Sequence, residues 1–152
     1  MDKNLYRELI GQGLSMALMS SIVSIGSVIL QSSINNLGYL TIAGHSAARK
    51  LFGLCIIPFF ALGTALSTFV SQNRGANKGE RIVKAVKYAN RIGIAWSLFV
   101  FIAMLLTARF FIHLISGSEQ STILNNGTKY LVFSAPFYTV LAVLINIRFA
   151  LQ

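Results

Sequence analysis

Apolar residues fill four long stretches of the chain, set apart by short polar tracts. No Asp, Glu, Lys or Arg stands between Glu8 and Arg49. That uncharged run has room for two bilayer crossings of about 20 residues each. The pattern predicts membrane spans at residues 13–37, 41–71, 92–112 and 130–151. Asn35-Asn36-Leu37-Gly38 closes the first span with turn-forming residues. The second span, at ~1.5 Å per residue, is ~46 Å long, so it must tilt, kink or protrude. Pro58 removes a backbone donor near its middle and predicts a kink there. Residues 72–91 read as a basic connecting loop. Within it, Ile82, Val83, Val86 and Ala89 can share an apolar face, which predicts a short basic interfacial helix that rests on anionic lipid. Ser116-Gly117-Ser118-Glu119-Gln120 opens a polar loop that includes Asn125-Asn126-Gly127, and Pro136 stands near the start of the fourth span. The expected fold is all-α, a polytopic membrane helical bundle with four transmembrane helices.

Composition strengthens this picture. The chain is 55% hydrophobic and 11% charged, with mean hydropathy +0.67, whereas soluble domains carry about 25% charged residues. A water-soluble chain of 152 residues could not hide so much apolar surface. The net charge of +9 raises nucleic-acid binding as a partner class. The charges flank apolar runs rather than covering a folded surface, which argues against it. The N-terminal sequence Met-Asp-Lys-Asn-Leu-Tyr-Arg-Glu is not a signal peptide.

Lysine and arginine bias in short loops sets the orientation. With residues 72–91 inside, Arg74, Lys78, Arg81, Lys84, Lys87 and Arg91 join Lys3, Arg7 and Arg148 on the inner side. Arg49, Lys50, Arg109 and Lys129 remain outside. Both ends are therefore expected in the cytoplasm of a multi-pass cell-membrane protein. Tyr39, Tyr88, Trp96 and Phe110 fall near the predicted interfaces, where aromatic rings gather.

The first span carries a stripe. Gly13, Ala17, Ser20, Ser24, Ser27, Gln31 and Asn35 lie within about 40° of one line at the helical repeat. Leu14, Leu18, Ile22, Ile25 and Ile29 form the opposing face. A small, polar stripe in lipid suits either close helix packing or a hydrated cavity wall that offers hydrogen bonds to a ligand. Ala135, Thr139, Ala142 and Asn146 share a face of the fourth span with Tyr138 beside it, and Asn146 could meet headgroups. Ala61, Thr64, Ala65, Thr68 and Gln72 line one side of the second span. The candidate cavity-lining residues are Ser20, Ser24, Ser27, Gln31, Asn35 and Tyr138. Arg49 and Lys50 stand about eight residues into the second span, where they snorkel outward or line a pore.

Other chemistry is sparse. No Asp or Glu falls within a span, so a titratable coupling site is not visible here. His45 and His113 fall at outer span ends and are expected at the interface. Cys55 sits in an apolar run and behaves as a small hydrophobe. No metal spacing, phosphate loop or nucleophile constellation is found, so the expectation is no enzyme, no metal and no cofactor.

Two motifs are distinctive. One is Ile34-Asn35-Asn36-Leu37-Gly38 followed by Ile42-Ala43-Gly44-His45-Ser46-Ala47-Ala48-Arg49-Lys50. The other is Pro58 followed by Ala61-Leu62-Gly63-Thr64-Ala65-Leu66-Ser67-Thr68-Phe69-Val70-Ser71-Gln72-Asn73-Arg74-Gly75-Ala76. Both resemble the multidrug and toxic compound extrusion (MATE) family, best over residues 11–91. That resemblance implies a two-lobe, twelve-helix transporter, of which this chain resembles helices seven to ten at the start of the second lobe. The partners it implies are a missing N-terminal lobe, two last helices after Gln152, the bilayer and a drug-like small molecule. The implied activity is efflux of organic, often cationic, compounds in exchange for protons or sodium ions by alternating access. Gln72, Asn73, Gly75 and Ala76, with Pro58, match the motif and imply a conformational or packing role. Alternatives are a flippase for lipid-linked precursors on a related plan, or a non-functional or structural membrane fragment.

Overall fold

The computed structural model describes residues 3–151, apart from the side chains at positions 3–5 and 8. The expectation for the charge of Lys3, and those on Met1, Asp2 and Gln152, lie outside the described residues. The described residues form five helices: α1 Lys3–Asn35, α2 Tyr39–Gly75, α3 Gly79–Ser116, α4 Ser121–Ser134 and α5 Phe137–Leu151. Three are long and apolar enough to cross a membrane, or four spans if α4 and α5, bent by 54° at their break, count as one.

Two compact units divide at residues 42 and 43. The first holds α1 and the turn after it. Gly38 closes that turn at φ 85°, which L side chains rarely adopt, and its carbonyl accepts the N–H of Thr41 and of Ile42. The second unit holds the rest of α2 with α3, α4 and α5. There α3 packs along both α4 and α5. Its main core joins Leu51 and Phe59 of α2, Val100, Met104 and Ile112 of α3, Leu131 of α4 and Tyr138 and Ile145 of α5. A smaller cluster packs Leu66 and Val70 of α2 on Ala89 of α3.

Small residues set the helix spacing. A methyl on Gly44 would lie 2.6 Å from the Ile123 carbonyl oxygen, and one on Gly63 would lie 2.6 Å from the Phe149 ring. In lipid, helices associate through such close packing rather than hydrophobic expulsion.

Three expectations change here. Residues 80–91 are not a separate interfacial helix, because α3 runs without a break from Gly79 to Ser116 and the connection from α2 is only residues 76–78. Asn125-Asn126-Gly127 is not loop but the middle of α4. Gly127 is there because a side chain would strike Gly44 and Ile112, so glycine supplies a crossing point rather than a turn. The fourth span is broken at Pro136, which cannot donate to the preceding turn. By contrast, α2 continues through Pro58.

Candidate functional site

In the first unit the hydroxyl stripe of α1 turns inward on its own backbone. Ser24 Oγ donates to the Ser20 carbonyl at 2.9 Å, and Ser27 Oγ to the Val23 carbonyl at 3.1 Å. These bonds satisfy the hydroxyl protons without a partner helix and leave oxygen lone pairs facing outward. Gln31 Nε2 donates to Asn35 Oδ1 at 3.0 Å, which sets the two amides on one face, as their spacing requires. Ser20, Ser24, Ser27, Gln31 and Asn35 belong to this unit, and Tyr138 belongs to the other.

In the second unit Tyr138 is 4% exposed, its ring centroid 5.2 Å from that of Phe52. It borders a groove of about 520 Å³ on the α4–α5 break, lined also by Tyr130, Phe133, Phe137 and Leu141. Its face of α5 packs on α3. Ser97, fully buried, shares a 2.9 Å hydrogen bond with Thr139. Asn146 Nδ2 donates to Asn90 Oδ1 at 3.2 Å. Gly93, between Asn90 and Ser97, leaves room for Ala142 and Asn146. Asn146 is therefore in the core at 1% exposure, not among headgroups, and its Oδ1 lacks a protein donor. The residues missed in the sequence are Asn90, Gly93 and Ser97, whose helical spacing along an otherwise apolar span was the available signal. His45 is likewise buried, edge-on to the Tyr130 ring at 4.7 Å, rather than at an interface.

The Gln-Asn-Arg-Gly-Ala motif builds the end of α2. Asn77, at φ 55°, takes the left-handed position that terminates the helix. The Lys78 N–H reaches back to the Asn73 carbonyl at 2.9 Å and the Asn77 N–H to the Arg74 carbonyl at 3.1 Å. This pair of bonds is the Schellman arrangement, which satisfies carbonyls the helix would otherwise leave open. Asn73 is buried, and its Nδ2 donates to the Phe69 carbonyl at 2.8 Å. Gln72, Gly75 and Ala76 complete the turn, and the Gln72 carbonyl accepts the Ala76 N–H. At Pro58, the Trp96 indole of α3 donates to the Cys55 carbonyl at 3.1 Å and ties α3 to α2 beside the proline.

The other face of α2 stays out of this core. Ala61, Thr64, Ala65, Thr68 and Gln72 are all exposed, while Gly63, Leu66, Val70 and Asn73 are buried. Thr64 and Thr68 bond the carbonyls of Phe60 and Thr64. Arg49 and Lys50 are also exposed, beside the buried Ala47 and Ala48. Among the described residues no cluster of His, Cys, Asp and Glu could hold a metal ion.

Long apolar helices locked together by glycines and by hydroxyl and amide pairs define a multi-pass α-helical membrane protein. The sequence model of the MatE family matches residues 15–152, and the chain belongs to that family. It is similar to a probable multidrug resistance protein, YoeA, of Bacillus subtilis (strain 168), with 28% identity over 94 residues. That match covers 62% of this chain and 19% of the relative, so the chain spans about a fifth of the relative's length. No solved structure matches.

Proposed function

We propose that this chain is part of a two-lobe secondary transporter that exports organic, often cationic, compounds in exchange for protons or sodium ions. The carrying observation, in a chain of this family, is the α2 stripe Ala61, Thr64, Ala65, Thr68 and Gln72, which stays outside the helix core. A small, hydroxylated face in a membrane span needs protein or water against it. It offers a wall for a cavity shared with a second lobe, and the α1 stripe of Ser20, Ser24, Ser27, Gln31 and Asn35 is a second face of the same kind. The relative's description as a probable multidrug resistance protein supports drug-like cargo. Alternating access follows if ion and cargo stabilise the two orientations of the lobes unequally. The spans of this chain hold no carboxylate, so a coupling acid would lie outside these helices. Residues 72–91 and both ends face the cytoplasm.

The test is transport. The protein encoded by the gene that carries this sequence is reconstituted in vesicles, and a fluorescent organic cation is followed under an imposed proton or sodium gradient. Uphill movement that collapses with the gradient is expected. Equal movement with and without a gradient, for several cations and both ions, would overturn the proposal.

A further inference from the structure

The cations that begin α3 form a built surface. Lys84, Lys87, Tyr88 and Arg91 follow the i, i+3, i+4, i+7 spacing of one helix face, and all four are exposed. The opposite face, with Ile82, Ala85, Val86 and Ala89, packs on Leu66 and Val70 of α2. The helix therefore cannot roll to bury its basic side. The Arg91 guanidinium lies 5.8 Å from the centre of the Tyr88 ring, a contact that orients it. Residues 78–91 hold five Lys and Arg against one acid, Glu80, which stands one turn before Lys84.

Depth makes the surface specific. The apolar run of α3 starts at Ile92, and about 20 residues fill the ~30 Å hydrocarbon layer. Residues before Ile92 extend outward at ~1.5 Å each. Arg91, Tyr88 and Lys87 thus stand within about 8 Å of the hydrocarbon edge, inside the headgroup layer. Lys84 is one turn further out, and its flexible stem reaches back toward that layer. Because α3 is unbroken, the same rigid helix carries this face and the seam with α4 and α5.

We propose that Lys84, Lys87, Tyr88 and Arg91 bind the phosphate of an anionic phospholipid at the membrane surface, holding one end of α3 to the leaflet. This inference rests only on α3 crossing a bilayer, and it survives if the transport reading fails.

The test uses Trp96, about five residues into the span from Arg91. The protein is reconstituted in phosphatidylcholine vesicles containing phosphatidylglycerol, with brominated acyl chains on one lipid or the other. Stronger tryptophan quenching by brominated phosphatidylglycerol is expected, at roughly ten-fold preference, falling as salt is raised. K84Q/K87Q/R91Q should abolish the preference, R91Q alone should reduce it, and K50Q, another exposed cation, should leave it intact. If the triple variant does not fold, R91Q carries the test against K50Q. Equal quenching by both lipids, or a preference kept in R91Q and the triple variant alike, overturns the proposal. So does loss of the preference in excess inorganic phosphate but not in chloride of equal ionic strength, which would assign the site to free phosphate.

Discussion

Gly44 of α2 and Gly127 of α4 meet backbone to backbone: a methyl on Gly127 would lie 2.9 Å from the Gly44 carbonyl oxygen. Nothing but main chain separates the two helices there. Gly44→Ala would place a methyl 2.6 Å from the Ile123 carbonyl, an atom fixed in the α4 ladder. The expected loss is about 1–3 kcal/mol, read as a lower midpoint in detergent unfolding. Gly53→Ala is the control, since a methyl there meets nothing within 4 Å, and alanine favours the helix by up to ~1 kcal/mol.

The hydroxyl pair Ser97–Thr139 ties α3 to α5. A double-mutant cycle with Ser97→Ala and Thr139→Ala should give a coupling of about 0.6 kcal/mol, and no more than ~1.7. Replacing Asn146 by Leu should cost more than either, because it strands Asn90 beside a bulkier apolar group. A zero coupling in the cycle would mean the 2.9 Å contact adds nothing to stability.

Asn77 ends α2 with a positive φ. Asn77→Gly should be neutral or stabilising, since glycine adopts that backbone freely. Asn77→Ala should cost about 1 kcal/mol. Equal unfolding midpoints for the two variants would contradict the capping geometry.

The basic start of α3 and its far end should face opposite sides of the membrane. In a Cys55→Ser background, a cysteine at Lys84 should react with a membrane-impermeant maleimide only in inverted vesicles. One at Ser118, in the connection after α3, should react only in intact cells. Labelling of both from one side would remove α3 as a single crossing.

The long helices were legible because a bilayer demands apolar runs of a known length, and the chain offers them with few charges inside. The finer divisions were not, for reasons that particular residues show. Asn125-Asn126-Gly127 carries turn chemistry, yet glycine serves a tight crossing equally well, and only Gly44 across the gap tells which. The charges from Arg81 to Arg91 mark where the apolar run begins, not where the helix begins, and α3 starts at Gly79. Two prolines offered the same local signal. Beside Pro58 the chain is tied to Trp96, whereas the chain breaks at Pro136. For the candidate cavity, the stripes of α1 and α2 were visible as periodic small and polar residues. Their partner surfaces are not written into these positions, because a stripe states what it can tolerate and not what it meets.

The three-residue link between α2 and α3 has a consequence for biogenesis. So short a link lets neither helix settle in the bilayer long before the other, so they enter as a hairpin, with Trp96 able to find Cys55 as soon as both are threaded. The Gly44–Gly127 crossing must wait for α4 to leave the ribosome. Until then the notch at Gly44 lacks the α4 backbone that fills it.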